Sequence, residues 1–115
     1  MTDTEIDSMG MEQVRERLAL AMEVSLSHTF LHDSYVRELV KEWLHRVHPW
    51  HFATIETDTP EWVKVEIREY PFGESEIVAS ASVDHDGSVL ELADAKGLAL
   101  GRAVVKMIEH ERSKP

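Results

Sequence analysis

Between residues 33 and 50, apolar side chains recur at steps of three and four: Val36, Leu39, Val40, Trp43, Leu44 and Val47. That spacing places them on one stripe of an α-helix, with Arg37, Glu38, Lys41, Glu42 and Arg46 turned to water. Asp33 or Ser34 can accept hydrogen bonds from the first free backbone amides, and Pro49 cannot continue the ladder. Burying six such side chains, at roughly 1.5–3 kcal/mol each, is worth on the order of 10 kcal/mol before conformational entropy is subtracted. The stripe must therefore have a partner surface within a chain of 115 residues, a length that supports one ordinary core.

The rest of the pattern supplies that surface. Met11, Val14, Leu18, Ala21, Met22 and Leu26 define an earlier helix over about residues 11–26, separated from the first stripe by a corner rich in Ser, Thr, His and Asp. After Pro49 the period falls from 3.6 to 2. Residues 52–57 read as a first strand with Ala53 and Ile55 on one face. Residues 62–70 are the clearest strand, Val63, Val65 and Ile67 alternating with Lys64, Glu66 and Arg68. Ile77, Ala79, Ala81 and Val83 repeat the alternation against Ser80 and Ser82. Residues 84–87, Asp-His-Asp-Gly, form a turn. Val89 to Leu92 reads as a short last strand, and Asp94 as the cap of a closing helix with Leu98, Gly101, Val105 and Ile108 on one stripe.

Short links between strands favour an antiparallel meander. The predicted fold class is α+β: two N-terminal helices, an antiparallel sheet of three to four strands, and a C-terminal helix packed on one face. Thr2 and Glu5 have capping-box spacing, but nothing apolar enough follows at once, so residues 1–9 are expected to form a flexible acidic arm before a single domain at 10–115.

The net charge is −10, and residues 49–93 hold ten acids against two bases. Such a surface repels phosphate backbones and anionic membranes and favours a basic protein partner. There is no cysteine, which excludes thiolate chemistry and disulfides. No apolar run approaches the roughly 20 residues that span a bilayer, and the first residues are acidic where a secretory signal is basic. The expected setting is cytoplasmic, with no membrane and no direct nucleic-acid contact.

Histidine is the most suggestive chemical feature. His28 and His32 are four apart, His45 and His48 three apart, and His51 lies just beyond. Imidazoles at such spacing can hold zinc or a related metal, with Asp33, Glu38 or Glu42 adding oxygen. The spacing lacks the adjacent glutamate of the metalloprotease motif, so surface or helix-end histidines explain it better. Gly97 and Gly101 give the last helix a smooth face for close packing or for a homodimer contact. No Walker, dinucleotide-binding or serine-elbow motif is present. The layout is similar to that of the double-stranded-RNA-binding family. That family begins its last helix with a lysine cluster, however, and Asp94-Ala95-Lys96-Gly97 offers one lysine.

Alternation puts Trp62, Lys64, Glu66, Arg68 and Tyr70 together on the polar face of the clearest strand, with Trp62 as an aromatic anchor. The leading expectation is thus a small non-enzymatic interaction or regulatory protein without a cofactor that binds another protein, a basic one by charge, through this face. An inhibitor from a phage or accessory element, its acids mimicking nucleic acid, is one version. A histidine-based metal protein or enzyme is the second reading, and a small-ligand binder the third.

Overall fold

The computed structural model describes residues 2–24, 34–47, 52–69 and 76–112. Its elements run α1 (Asp3–Asp7), α2 (Met11–Met22), α3 (Ser34–Val47), β1 (Phe52–Asp58), β2 (Trp62–Glu69), β3 (Glu76–Asp84) and α4 (Val89–Arg112). The sheet is an antiparallel meander in the order β1-β2-β3.

Val63, Val65 and Ile67 stand opposite Val83, Ala81 and Ala79 and share one face with them. All three β2 residues are buried, as their alternation predicts. α4 lies across this face, against β2 and β3. It is buried on most of its circumference: Ala95, Ala99, Leu100, Ala103, Val104, Val105 and Met107 all belong to the core, and Gly97 and Gly101 are buried too. A helix apolar on so many sides belongs between two layers. At 24 residues it is about 36 Å long by the rise of an α-helix, close to the 39 Å longest extent of the molecule. α2 and α1 pack on its back. α3 contributes Val36, Val40 and Leu44 to the same core, while Leu39 and Trp43 are half-buried and Val47 is exposed.

Three expectations change. In place of the flexible arm expected over residues 1–9, the described residues 2–9 carry a helix: Thr2 and Glu5 close a capping box on α1, and Ile6 and Met9 are 0% and 5% exposed. The anchoring apolar residues sit one turn and two turns in, rather than directly after the cap. The segment is then pinned to α4, because Arg102 donates to the carbonyl of Met9 from Nε at 3.1 Å and from Nη2 at 2.8 Å. Lys106 Nζ lies 2.7 Å from an Asp7 carboxylate oxygen.

Val89 to Leu92 is not a fourth strand but the first turn of α4. Ser88, not Asp94, caps it: Ser88 Oγ accepts from Glu91 N at 3.2 Å, and Asp86 Oδ1 accepts from Ser88 N at 2.8 Å. The Ser-x-x-Glu spacing is the capping signature that the short apolar pair Val89-Leu90 obscures. The preceding turn is fixed by His85, whose Nε2 donates to Thr59 O at 2.8 Å while Nδ1 accepts from Gly87 N at 3.0 Å. Gly87 has φ +90°, the left-handed backbone that glycine adopts without strain.

Finally, Ile77 does not continue the inward row of Ala79, Ala81 and Val83. Ile67 pairs with Ala79 but Arg68 with Ile77, so Val78 is an extra residue, a β-bulge. The bulge swings Ile77 to the far face, where it is 50% exposed, and lets Val78 pack partly against the core.

Truncating Ile6 tests the recruitment of the N-terminal segment. Ile6→Ala should cost about 2–5 kcal/mol in urea unfolding. Leu20→Ala, on a residue 76% exposed, should change stability by no more than about 0.5 kcal/mol.

Candidate protein-binding face

Pairing register decides which side chains of the sheet meet water. The outer face is arranged in cross-strand rows: Ala53, Arg68 and Ile77; then Ile55, Glu66 and Ser80; then Thr57, Lys64 and Ser82; and at the end Trp62 beside Asp84. Among the described residues no helix packs on this side, since the helix contacts of the sheet belong to α4 and α3 on the other. Arg68 Nη2 donates to Glu66 Oε2 at 2.7 Å, and this pair occupies the middle of the face. Ile55 and Ile77 are 38% and 50% exposed, and Trp62 is half-buried. The face is thus mixed: Trp62, Ile55 and Ile77 stand among Thr57, Lys64, Ser80, Ser82 and Asp84, with an ion pair at its centre.

Trp62 stands where the face meets an acidic end of the molecule. Thr59 holds the turn before it, its hydroxyl accepting from Trp62 N at 2.9 Å while its own N donates to Trp62 O at 2.9 Å. His85 N donates to Glu61 O at 3.0 Å, which draws the β1–β2 turn against the turn before α4. Glu61, Asp84, Asp86 and Glu91, all exposed, lie on these two turns or on the strand and helix ends that flank the second. Hydrogen bonds from Ser88, above all from its backbone N–H, hold the Asp86 carboxyl below its ordinary range, so it stays ionised to lower pH than an ordinary aspartate.

The inner face of β1 is unusual. Glu56 pairs with Val65 and Asp58 with Val63, so these carboxylates point to the helix side while Ile55 points away. Lys96 Nζ of α4 lies 3.8 Å from Glu56 and 3.2 Å from Asp58, and Arg37 Nη1 of α3 lies 3.9 Å from Glu56. Burial, then repulsion from Asp58, raises the pKa of Glu56; Lys96 and Arg37 oppose the shift without cancelling it. The network ties β1 to both helices, and its four charges are engaged with one another.

Of the residues singled out in the sequence, Trp62, Lys64, Glu66 and Arg68 occupy the outer face of β2 together, while Tyr70 lies outside the described residues. Gly97 and Gly101 are buried inside the chain on α4. His45 is exposed on α3; His28, His32, His48 and His51 lie outside the described residues. Among the described residues no three His, Asp or Glu side chains form a group that could hold a metal ion, and no helix is long and apolar enough to cross a membrane. Sequence reasoning missed Ile55 and Ile77 as members of the face. The first needed the register of β1, the second the bulge.

The raised pKa of Glu56 has a defined sign. A carboxyl that binds its proton more readily folded than unfolded lowers stability as pH rises through that window. Glu56→Gln should therefore melt at or above the wild-type temperature at pH 7, with the gap closing as pH falls to about 4, near the ordinary glutamate value. Thermal scans of the two proteins across this range give the comparison. No family model, no curated protein and no solved structure matches the chain.

Proposed function

We propose that this chain is a non-enzymatic binding protein that docks a basic protein partner on the outer face of its sheet, with Trp62 as the anchor. The observation that carries the reading is the placement of Trp62, Ile55 and Ile77 on one side of the sheet, free of helices among the described residues, around the Glu66–Arg68 pair. Sheets with one covered face normally turn polar residues outward. Here three large apolar side chains share the outer face, and half-exposed aromatic and aliphatic anchors are the kind that dominate protein interfaces.

Charge supports the choice of partner. Glu61 precedes the tryptophan and Asp84 faces it across the ladder, with Asp86 and Glu91 just beyond, and the chain as a whole carries −10. A basic surface is drawn to that end by long-range attraction, and an arginine set over the Trp62 ring gains a cation–π contact of about 0.5–2 kcal/mol. The outer face then supplies apolar contact, and Lys64 and Arg68 fix the orientation by accepting only acidic groups at their positions.

Affinity capture with the immobilised full chain tests this reading. Trp62→Ala and Glu66→Ala should each lose the captured partner while melting close to the wild type. Leu20→Ser, on the opposite side of the molecule, should retain it. Raising salt from about 50 to 500 mM should weaken capture, because charges at an exposed rim are screened at such ionic strength. Retention of every partner by the Trp62 variant would refute the choice of face.

A further inference from the structure

The two edges of the sheet differ. At β3, Lys106 Nζ donates to the outward carbonyl of Ser80 at 2.8 Å, so a charged side chain occupies that edge. At β1, among the described residues, nothing hydrogen-bonds to the outward backbone groups. Which groups these are follows from the ladder. The bond from Thr59 N to Trp62 O makes Thr59 and Trp62 a hydrogen-bonded pair. Alternation back along the bulge-free β1–β2 ladder turns Thr57, Ile55 and Ala53 toward β2. The N–H and C=O groups of Asp58, Glu56 and Thr54 then point out of the sheet. Carried across β2, the same alternation turns the Ser80 carbonyl outward from β3, where Lys106 meets it.

β1 is seven residues long and contains no lysine, arginine, proline or glycine; its two inward carboxylates, Glu56 and Asp58, are the one obstacle to edge pairing, and Lys96 and Arg37 meet them within the chain. We propose that it pairs antiparallel with β1 of a second copy, about a two-fold axis at Ile55, to build one six-stranded sheet. The register is selected by two conditions. Outward groups must meet outward groups, so Thr54, Glu56 and Asp58 pair only among themselves or with position 52. Like charges must not stand opposite. A dyad at Glu56 sets two glutamates face to face, and a dyad at Thr54 shortens the ladder.

The dyad at Ile55 satisfies both conditions over the full strand. Thr54 faces Glu56 of the second copy, Ala53 faces Thr57, and Ile55 faces its own equivalent as a non-hydrogen-bonded pair. Lys96 and Arg37 already offset Glu56 and Asp58 within each copy, which lets the acidic strand approach itself. The contact also buries Ile55, which the single chain leaves 38% exposed on its outer face. The pairing is made by the backbone edge of β1 and shares only Ile55 with the proposed partner face, so the inference does not rest on the partner-binding reading.

Light scattering of the full chain should give twice 13.2 kDa at rising concentration, and Ile55→Lys, which sets two ammonium groups opposite each other, should return it to the monomer mass. Register is read by cross-linking, since the chain has no cysteine of its own. A non-hydrogen-bonded pair has its Cα atoms about 4.5 Å apart, within disulfide reach, so Ile55→Cys should oxidise to a linked dimer about tenfold faster than Thr57→Cys. Ala53→Cys and Thr57→Cys should link when mixed. A full chain that stays monomeric at every concentration, a dimer that Ile55→Lys leaves intact, or cross-linking as fast at Thr57→Cys as at Ile55→Cys would overturn the proposal. A monomer that instead binds a foreign extended strand at this edge falls under the first of these.

Discussion

The contact between α4 and the inner face of β2 and β3 is what the remaining structure depends on. Small residues make it: Ala95, Ala99 and Ala103 on the helix, Ala79 and Ala81 on β3, with Val63, Val65 and Ile67 filling the space along β2. Short side chains on both layers let the helix lie close to the sheet, and close-packed interiors tolerate little change in such volumes. Because α4 stays apolar on its other sides, it recruits a second layer. α2 docks through Val14 and Leu18, and α1 through Ile6, so a five-residue helix too short to persist alone is held by burial and by Arg102 and Lys106.

This layering concentrates the helices on one side of the sheet and, among the described residues, leaves the other side uncovered. The consequence is sharpest at β1. Its carboxylates Glu56 and Asp58 face the helix layer, where Lys96 and Arg37 meet them, and its aliphatic Ile55 faces outward. An acid set toward the protein and an isoleucine set away from it contradict the usual sorting of side chains, and burial accordingly raises the pKa of Glu56. The bulge at Val78 acts in the same direction at the other edge, adding Ile77 to the outer face.

Much of this was legible in the chain. The spacing of Val36, Val40 and Leu44, the alternation of Val63, Val65 and Ile67, and the switch between the two periods determine helix, sheet and the α+β class. Each is a repeat whose period belongs to the backbone itself. The same alternation places Trp62, Lys64, Glu66 and Arg68 together on one side of β2. Strand β1 carries apolar and acidic residues on alternate positions without saying which set faces inward, since either choice has the same period.

Tertiary structure decided the rest. The pairing of Glu56 with Val65 settles that choice, and the bulge that releases Ile77 exists only in the pairing of β3 with β2. Val89 to Leu92 could read as strand or as helix; the cap at Ser88 and the buried surface waiting behind α4 select helix. Ile6 and Met9 gain their anchoring from residues about a hundred positions away. Local sequence sets the period of each segment, whereas the direction in which it faces depends on the elements that cover it.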